Sequence, residues 1–152
     1  MRLPVVMYTM YTVYVPIVEY ATVAAGRAHL KELLDAAEAG TPASMRRDVR
    51  SFAVVDAERL RRFLASVGVR AEVLAEDGGW SIFVPGVPVA VDGATFTDAV
   101  EAMVQALREY ADDWIDHLST APNHRDNWGL VQLVSLSNDA ELVAWLTAQT
   151  QT

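Results

Sequence analysis

Residues 21–64 read ATVAAGRAHLKELLDAAEAGTPASMRRDVRSFAVVDAERLRRFL, and the period of their apolar residues changes twice along the stretch. Leu30, Leu33, Leu34 and Ala37 follow the i, i+3, i+4, i+7 spacing of an amphipathic helix that begins near residue 22. Gly40 offers the left-handed residue that closes such a helix, and Pro42 blocks its continuation. Two short extended runs follow, Ala43–Arg46 and Ser51–Val55, joined through Arg47, Asp48 and Arg50, which reads as a hairpin. Asp56 then caps a further helix, whose Leu60, Phe63, Leu64 and Val67 return to helical spacing before Gly68. With an extended segment in front, the first unit is strand, helix, hairpin, helix.

That leading segment is MRLPVVMYTMYTVYVPIV, residues 1–18, and four of the five tyrosines lie within residues 1–20. β-branched and aromatic residues favour a strand across about residues 5–15. Arg2 before an apolar run mimics a secretory signal, but Tyr, Thr and Pro make a poor helical core for one. Met7 and Met10 leave open an alternative start to the native chain.

On the C-terminal side a second unit starts near Val69. VRAEVLA and WSIFV flank Glu76-Asp77-Gly78-Gly79, residues suited to a hairpin turn. PGVP makes a corner, VAV a third strand, and Asp92-Gly93 a further turn. Thr95 and Asp98 form a Thr-x-x-Asp capping signal for a long helix carrying Val100, Met103, Val104, Leu107, Tyr110, Ala111, Trp114 and Leu118 on one face. After the loop APNHRDN, the apolar run GLVQLVSL is expected as a fourth strand, and Asn138 with Glu141 caps a last helix bearing Leu142, Trp145 and Leu146. The order βββαβα makes the second unit, like the first, α+β.

The 152 residues are 52% hydrophobic and 21% charged, which excludes wholesale disorder. No apolar run reaches the length of a spanning helix. Cysteine is absent, which removes a disulfide framework, a thiolate zinc site and a cysteine nucleophile, and agrees with a cytoplasmic location. The net charge of −8 is unevenly spread. Residues 1–70 hold ten Lys/Arg against seven Asp/Glu, whereas residues 71–152 hold two against thirteen. Such asymmetry points to two surfaces with different partners.

Signals of catalysis are missing from the pattern. His117 and His124 lie near Asp113, Asp116 and Asp126, but no dense ligand spacing occurs and the stretch straddles a helix end. Gly78-Gly79 lacks the flanking pattern of a phosphate loop, and no Gly-x-Ser-x-Gly elbow exists. Neither an enzyme nor a metal or cofactor site is expected. The basic residues carry more information. Arg27 and Lys31 are four apart, hence on one helical face, and Arg46, Arg47 and Arg50 surround the hairpin turn. Arginines on a helix and an adjacent hairpin can grip phosphates and reach guanine edges, while the plainer reading of the same residues is surface charge. Arg59, Arg61 and Arg62 point away from the apolar stripe of their helix and read as solvated.

The stretch quoted first resembles the Phd/YefM (prevent-host-death) antitoxins. The matching features are the helix start Ala24-Ala25-Gly26-Arg27, the helix end Glu38-Ala39-Gly40, and the hairpin Met45-Arg46-Arg47. Phe52-Ala53-Val54-Val55 follows as a strand and Asp56–Leu60 as the next helix start. The usual serine cap and the acidic residue after it are replaced by Ala24 and Ala25, which moves the cap to Thr22, and Gly26 weakens the first turn. The resemblance implies a homodimer, or a higher even oligomer, that binds operator DNA through Arg27 and Arg46, with Lys31, Arg47 and Arg50 beside them.

Residues 75–114, AEDGGWSIFVPGVPVAVDGATFTDAVEAMVQALREYADDW, resemble HicB-like antitoxins with their partial ribonuclease-H βββαβ domain. The matching features are the turn Glu76–Trp80, the Val-Pro-Gly corner at Val84–Gly86, and the Gly-x-Thr-x-x-x-Ala helix start at Gly93–Ala99. The two resemblances imply an N-terminal extension over residues 1–18, a dimerising and DNA-binding domain over 19–68, and a toxin-binding domain with a C-terminal helix over 69–152. Together they imply an antitoxin of a type II toxin–antitoxin system that neutralises a protein toxin and represses its own operon. Trp80 and Trp128 are candidate anchors for the toxin, each also readable as ordinary packing. A regulator without a toxin, its second domain sensing a ligand or only oligomerising, and a small enzyme remain as other classes.

Overall fold

The computed structural model describes residues 17–148; the strand expected across about residues 5–15 lies outside them. The chain divides into two compact units between Asp56 and Ala57.

In the first unit, β1 (Val18–Tyr20) is followed by α1 (Val23–Ala28), α2 (Leu30–Ala39), β2 (Ala43–Arg47) and β3 (Arg50–Ala53). The sheet order is β1-β2-β3, with β1 parallel to β2 through the two helices and β3 antiparallel to β2. Thr22 caps α1, its side chain accepting from the Ala25 N–H at 3.1 Å. The expected single helix is broken at His29, which leaves helical geometry at φ −117°, ψ 31°. Its ring stacks on Tyr20 with centroids 4.8 Å apart, a contact that sequence periodicity does not register. Gly26, weak as a helix former, has a packing reason. A Cβ there would stand 3.1 Å from the Met45 sulfur and 3.2 Å from its Cβ, so the glycine lets α1 close onto β2. Leu33, Ala36 and Ala43 form a small core joined by Val18, Tyr20, Met45 and Val54.

The second unit holds α3 (Ala57–Val67), β4 (Glu72–Glu76), β5 (Gly79–Phe83), β6 (Ala90–Gly93), α4 (Phe96–Asp113), α5 (Trp128–Leu136) and α6 (Asp139–Ala148). A π-helical turn, Trp114–Leu118, continues α4, and a 3-10 turn, Arg125–Asn127, precedes α5. The three strands form an antiparallel meander, with Asp92 and Gly93 finishing β6 rather than turning. Both capping signals are present. The Thr95 side chain accepts from Asp98 N–H at 3.1 Å while Asp98 answers to Thr95 N–H, and Asn138 and Glu141 do the same at 2.8 Å each.

Two expectations are corrected here. GLVQLVSL is not a strand: it forms most of α5, with Leu130, Val131, Leu133 and Val134 buried. A short run that is apolar on all sides does not distinguish a core strand from a core helix, and α5 is enclosed by α3 and α4. The βββαβ arrangement therefore gives way to βββ followed by helices. The second correction concerns α3, which belongs to the second unit rather than closing the first. Leu64 is buried in the core that contains Leu130, Val131 and Leu142, with Leu60 and Ala65 packed beside it. The charge division moves with this helix. Residues 1–56 hold six Lys/Arg against six Asp/Glu, and residues 57–152 hold six against fourteen.

The arginines of α3 are not free. Arg61 donates twice to Glu58, at 2.7 Å each, and Arg62 donates once at 2.8 Å. Arg61 also lies 3.6 Å from Glu141 of α6. The Arg61 hydrogen bonds, with the one from Arg62 beside them, lower the Glu58 pKa from 4.5 to about 2. The stabilisation from this ionised carboxylate is fully present above about pH 4.5 and is lost as pH falls through about 2. In acid titrations followed by circular dichroism, the stability gap between wild type and Glu58→Gln is expected to close across that window. A gap independent of pH would exclude the ion pair as its origin.

Candidate functional site

The basic residues singled out in the sequence all fall in the first unit and are exposed, but they do not form one face. Arg27 lies in the last turn of α1 and Lys31 in the first turn of α2, on either side of the His29 break, so the expected shared helical face is not formed. Lys31 donates to Asp35 at 2.6 Å, which raises the lysine pKa and commits its ammonium locally. On the hairpin, side chains alternate between sheet faces. Met45 and Arg47 share the face covered by the helices, whereas Arg46 lies on the opposite face with Ser44 and Ser51. Arg47 stands directly across from Arg50 in the register. Two like charges in direct cross-strand register repel each other, and an anion between them would remove that cost. The two-residue tip is Asp48, at φ 55°, and Val49, which is 95% exposed.

Sequence reasoning missed a cluster beside these arginines. The Glu32 carboxylate accepts from the Tyr20 hydroxyl and lies 3.2 Å from His29 Nδ1. The Tyr20 hydrogen bond lowers the Glu32 pKa and raises that of Tyr20. The cluster ties the end of β1 to the start of α2. The only sequence hint was a histidine interrupting an otherwise regular helix.

In the second unit, the Trp80 ring is half-buried and meets Phe96 edge-on at 5.3 Å, on the core side of the sheet. Trp128, the first residue of α5, is 50% exposed. His124 sits in a polar network rather than among the neighbouring carboxylates. Asn127 donates to the Tyr110 hydroxyl at 2.7 Å, that hydroxyl lies 3.1 Å from His124 Nδ1, and the Trp114 N–H donates to the His124 carbonyl at 2.8 Å. Among the described residues no group of three or more His, Asp or Glu side chains is placed to hold a metal ion. No helix among them is long and apolar enough to cross a membrane.

No protein family profile matches the chain, and no curated protein matches its sequence. A solved structure does resemble it: an antitoxin part of a candidate toxin/antitoxin system from Syntrophomonas wolfei subsp. wolfei. The two superpose with a TM-score of 0.69 at 20% sequence identity, over 83% of this chain and 94% of that one. The likeness is one of fold, extending over most of both chains.

Proposed function

We propose that this chain is the antitoxin of a type II toxin–antitoxin pair, binding a protein toxin through its acidic second unit and operator DNA through its first. The observation that carries the reading is the shared fold with the Syntrophomonas antitoxin, which spans both units at 83% coverage. The Phd/YefM-like and HicB-like sequence features and the surplus of acidic residues in the second unit point the same way. Many toxins act on RNA and carry basic active sites, which an acidic surface steers towards and occludes. A homodimer is part of the proposal: Leu30 and Leu34 of α2 and Phe52 of β3 are 48%, 53% and 46% exposed, apolar side chains that a second copy would cover. Co-expression with the product of the neighbouring reading frame tests the whole reading. Growth arrest by that product alone, relieved by this chain, is expected; arrest that persists would refute it.

Arg27, Arg46, Arg47 and Arg50 are the proposed DNA contacts, with Lys31 limited to a phosphate by its pairing with Asp35. The alternation along β2 makes their roles separable. Arg46→Ala is expected to cost ~1–3 kcal/mol and relax preference at one operator position, as for a base-reading arginine. Arg47→Ala or Arg50→Ala is expected to weaken all sequences alike and lower the salt slope by about one unit, as for a phosphate clamp. Anisotropy titrations at several salt concentrations distinguish the two patterns. Operator affinity unchanged in a folded Arg27→Ala, Arg46→Ala double variant would return these residues to surface charge.

A further inference from the structure

The sheet of the second unit has two faces of opposite character. Val73, Trp80, Ile82 and Val91 point into the core beneath α4. On the opposite face the register places Glu72, Phe83 and Ala90 in one row and Leu74, Ser81 and Asp92 in the next, with Glu76 beyond. Leu74 is 49% exposed and Ala90 is exposed, so an apolar centre stands open between carboxylates. Charges on an edge strand such as β4 can serve simply to prevent edge-to-edge pairing. That role explains Glu72 and Glu76 but not an open leucine between them. The charge is also unanswered: from Ala71 to Leu107 the sequence contains no Lys, Arg or His. Among the described residues, no ion pair involves Glu72, Glu76 or Asp92, and Asp92 accepts only the Ser81 hydroxyl, at 2.6 Å.

We infer that this open sheet face, centred on Leu74 and Phe83 and rimmed by Glu72, Glu76 and Asp92, is where the second unit docks a basic protein partner. The inference rests on the antitoxin reading and takes the toxin as that partner. Charge complementarity selects the occupant: an apolar centre inside a carboxylate rim fits a protein surface whose own apolar patch is ringed by Lys and Arg. Nucleic acid is repelled by the same rim.

The test uses the full chain and the purified product of the neighbouring reading frame. Leu74→Arg places a cation at the centre and is expected to weaken binding at least ~tenfold, as loss of a central anchor does. Glu72→Lys with Glu76→Lys is expected to slow association ~tenfold and flatten its salt dependence, because rim charges act mainly on encounter. Glu101→Lys with Glu109→Lys, both exposed on α4, matches the charge change of the rim pair and is expected to stay within about twofold. Circular dichroism melts check that each variant is folded, and the double rim variant stands in if Leu74→Arg is not. Wild-type binding with both face variants unaffected would overturn the inference while leaving the antitoxin reading intact. Equal losses in the Glu101→Lys, Glu109→Lys pair would overturn it in favour of net charge alone. Disruption of self-association by Leu74→Arg in the chain alone, seen by sedimentation, would overturn it by assigning the face to a second copy. Wild type that fails to bind the neighbouring product would remove the antitoxin reading and the docking face with it.

Discussion

Gly93→Ala is expected to destabilise the second unit by about 2–3 kcal/mol, although it adds a single methyl group. At Gly93 the end of β6 lies against the first turn of α4 so closely that a Cβ would stand 2.3 Å from the Ala99 nitrogen and 2.7 Å from its Cα. These are backbone atoms of a capped helix, and they cannot rotate away as the end of a side chain can. The helix would have to lift from the sheet, opening the core around Ala99 and Met103, both at 0% exposure. Replacing Gly by Ala normally stabilises a protein by ~0.4–1 kcal/mol through the unfolded state, so the clash must exceed that gain before any loss is seen. Denaturant unfolding gives the measurement, and a midpoint at or above wild type would show that β6 and α4 are not held this closely. The same substitution is expected to weaken binding of the proposed partner, since the docking face is part of the displaced sheet.

Arg108→Ala is expected to cost about 2–3 kcal/mol, although the residue is partly exposed. Its guanidinium donates to the Val134 carbonyl, to the Ser137 carbonyl at 2.7 Å and to the Asp139 carboxylate at 2.8 Å. One side chain thereby holds the end of α5 and the start of α6 against α4. The carbonyls account for most of the effect, because Asp139 is 63% exposed and an exposed ion pair contributes little. Asp139→Asn is therefore expected to cost less than about 1 kcal/mol. Arg108→Lys should recover little, because an ammonium cannot span three acceptors set in the planar fork of a guanidinium. Thermal and urea unfolding of the three variants would check the order, and full rescue by lysine would reduce the interaction to simple charge.

The part of this site that could be read from sequence is the part fixed locally. Thr95 with Asp98 and Asn138 with Glu141 announce their helices because a capping box is completed within four residues. Gly40 closes α2 at φ 74°, as a left-handed position after a periodic run suggests. The Gly-x-Thr-x-x-x-Ala start at Gly93–Ala99 was visible as a pattern, and the structure supplies its reason in the approach of Gly93 to Ala99. Arg108 left a faint signal, being the one Lys or Arg between Arg70 and Arg125, but nothing in its neighbours showed that it reaches the carbonyls of residues 134 and 137.

By itself, the sequence determined the types and approximate limits of most elements, the α+β class, and the identity of the exposed arginines. Each of these depends on periods, caps and turns that operate within a few residues. Tertiary structure decided everything that depends on what lies on the far side of a residue. It made GLVQLVSL a helix because α5 is enclosed by neighbouring helices, where an apolar surface all round is favoured. It assigned α3 and its arginines to the second unit because Leu60 and Leu64 find their partners there. It separated Arg27 from Lys31 because His29, stacked on Tyr20, leaves helical geometry between them, and it set Arg46 apart from Arg47 and Arg50 because the register fixes which face each residue takes. Pairings of this kind join residues distant in sequence, and no local pattern records them.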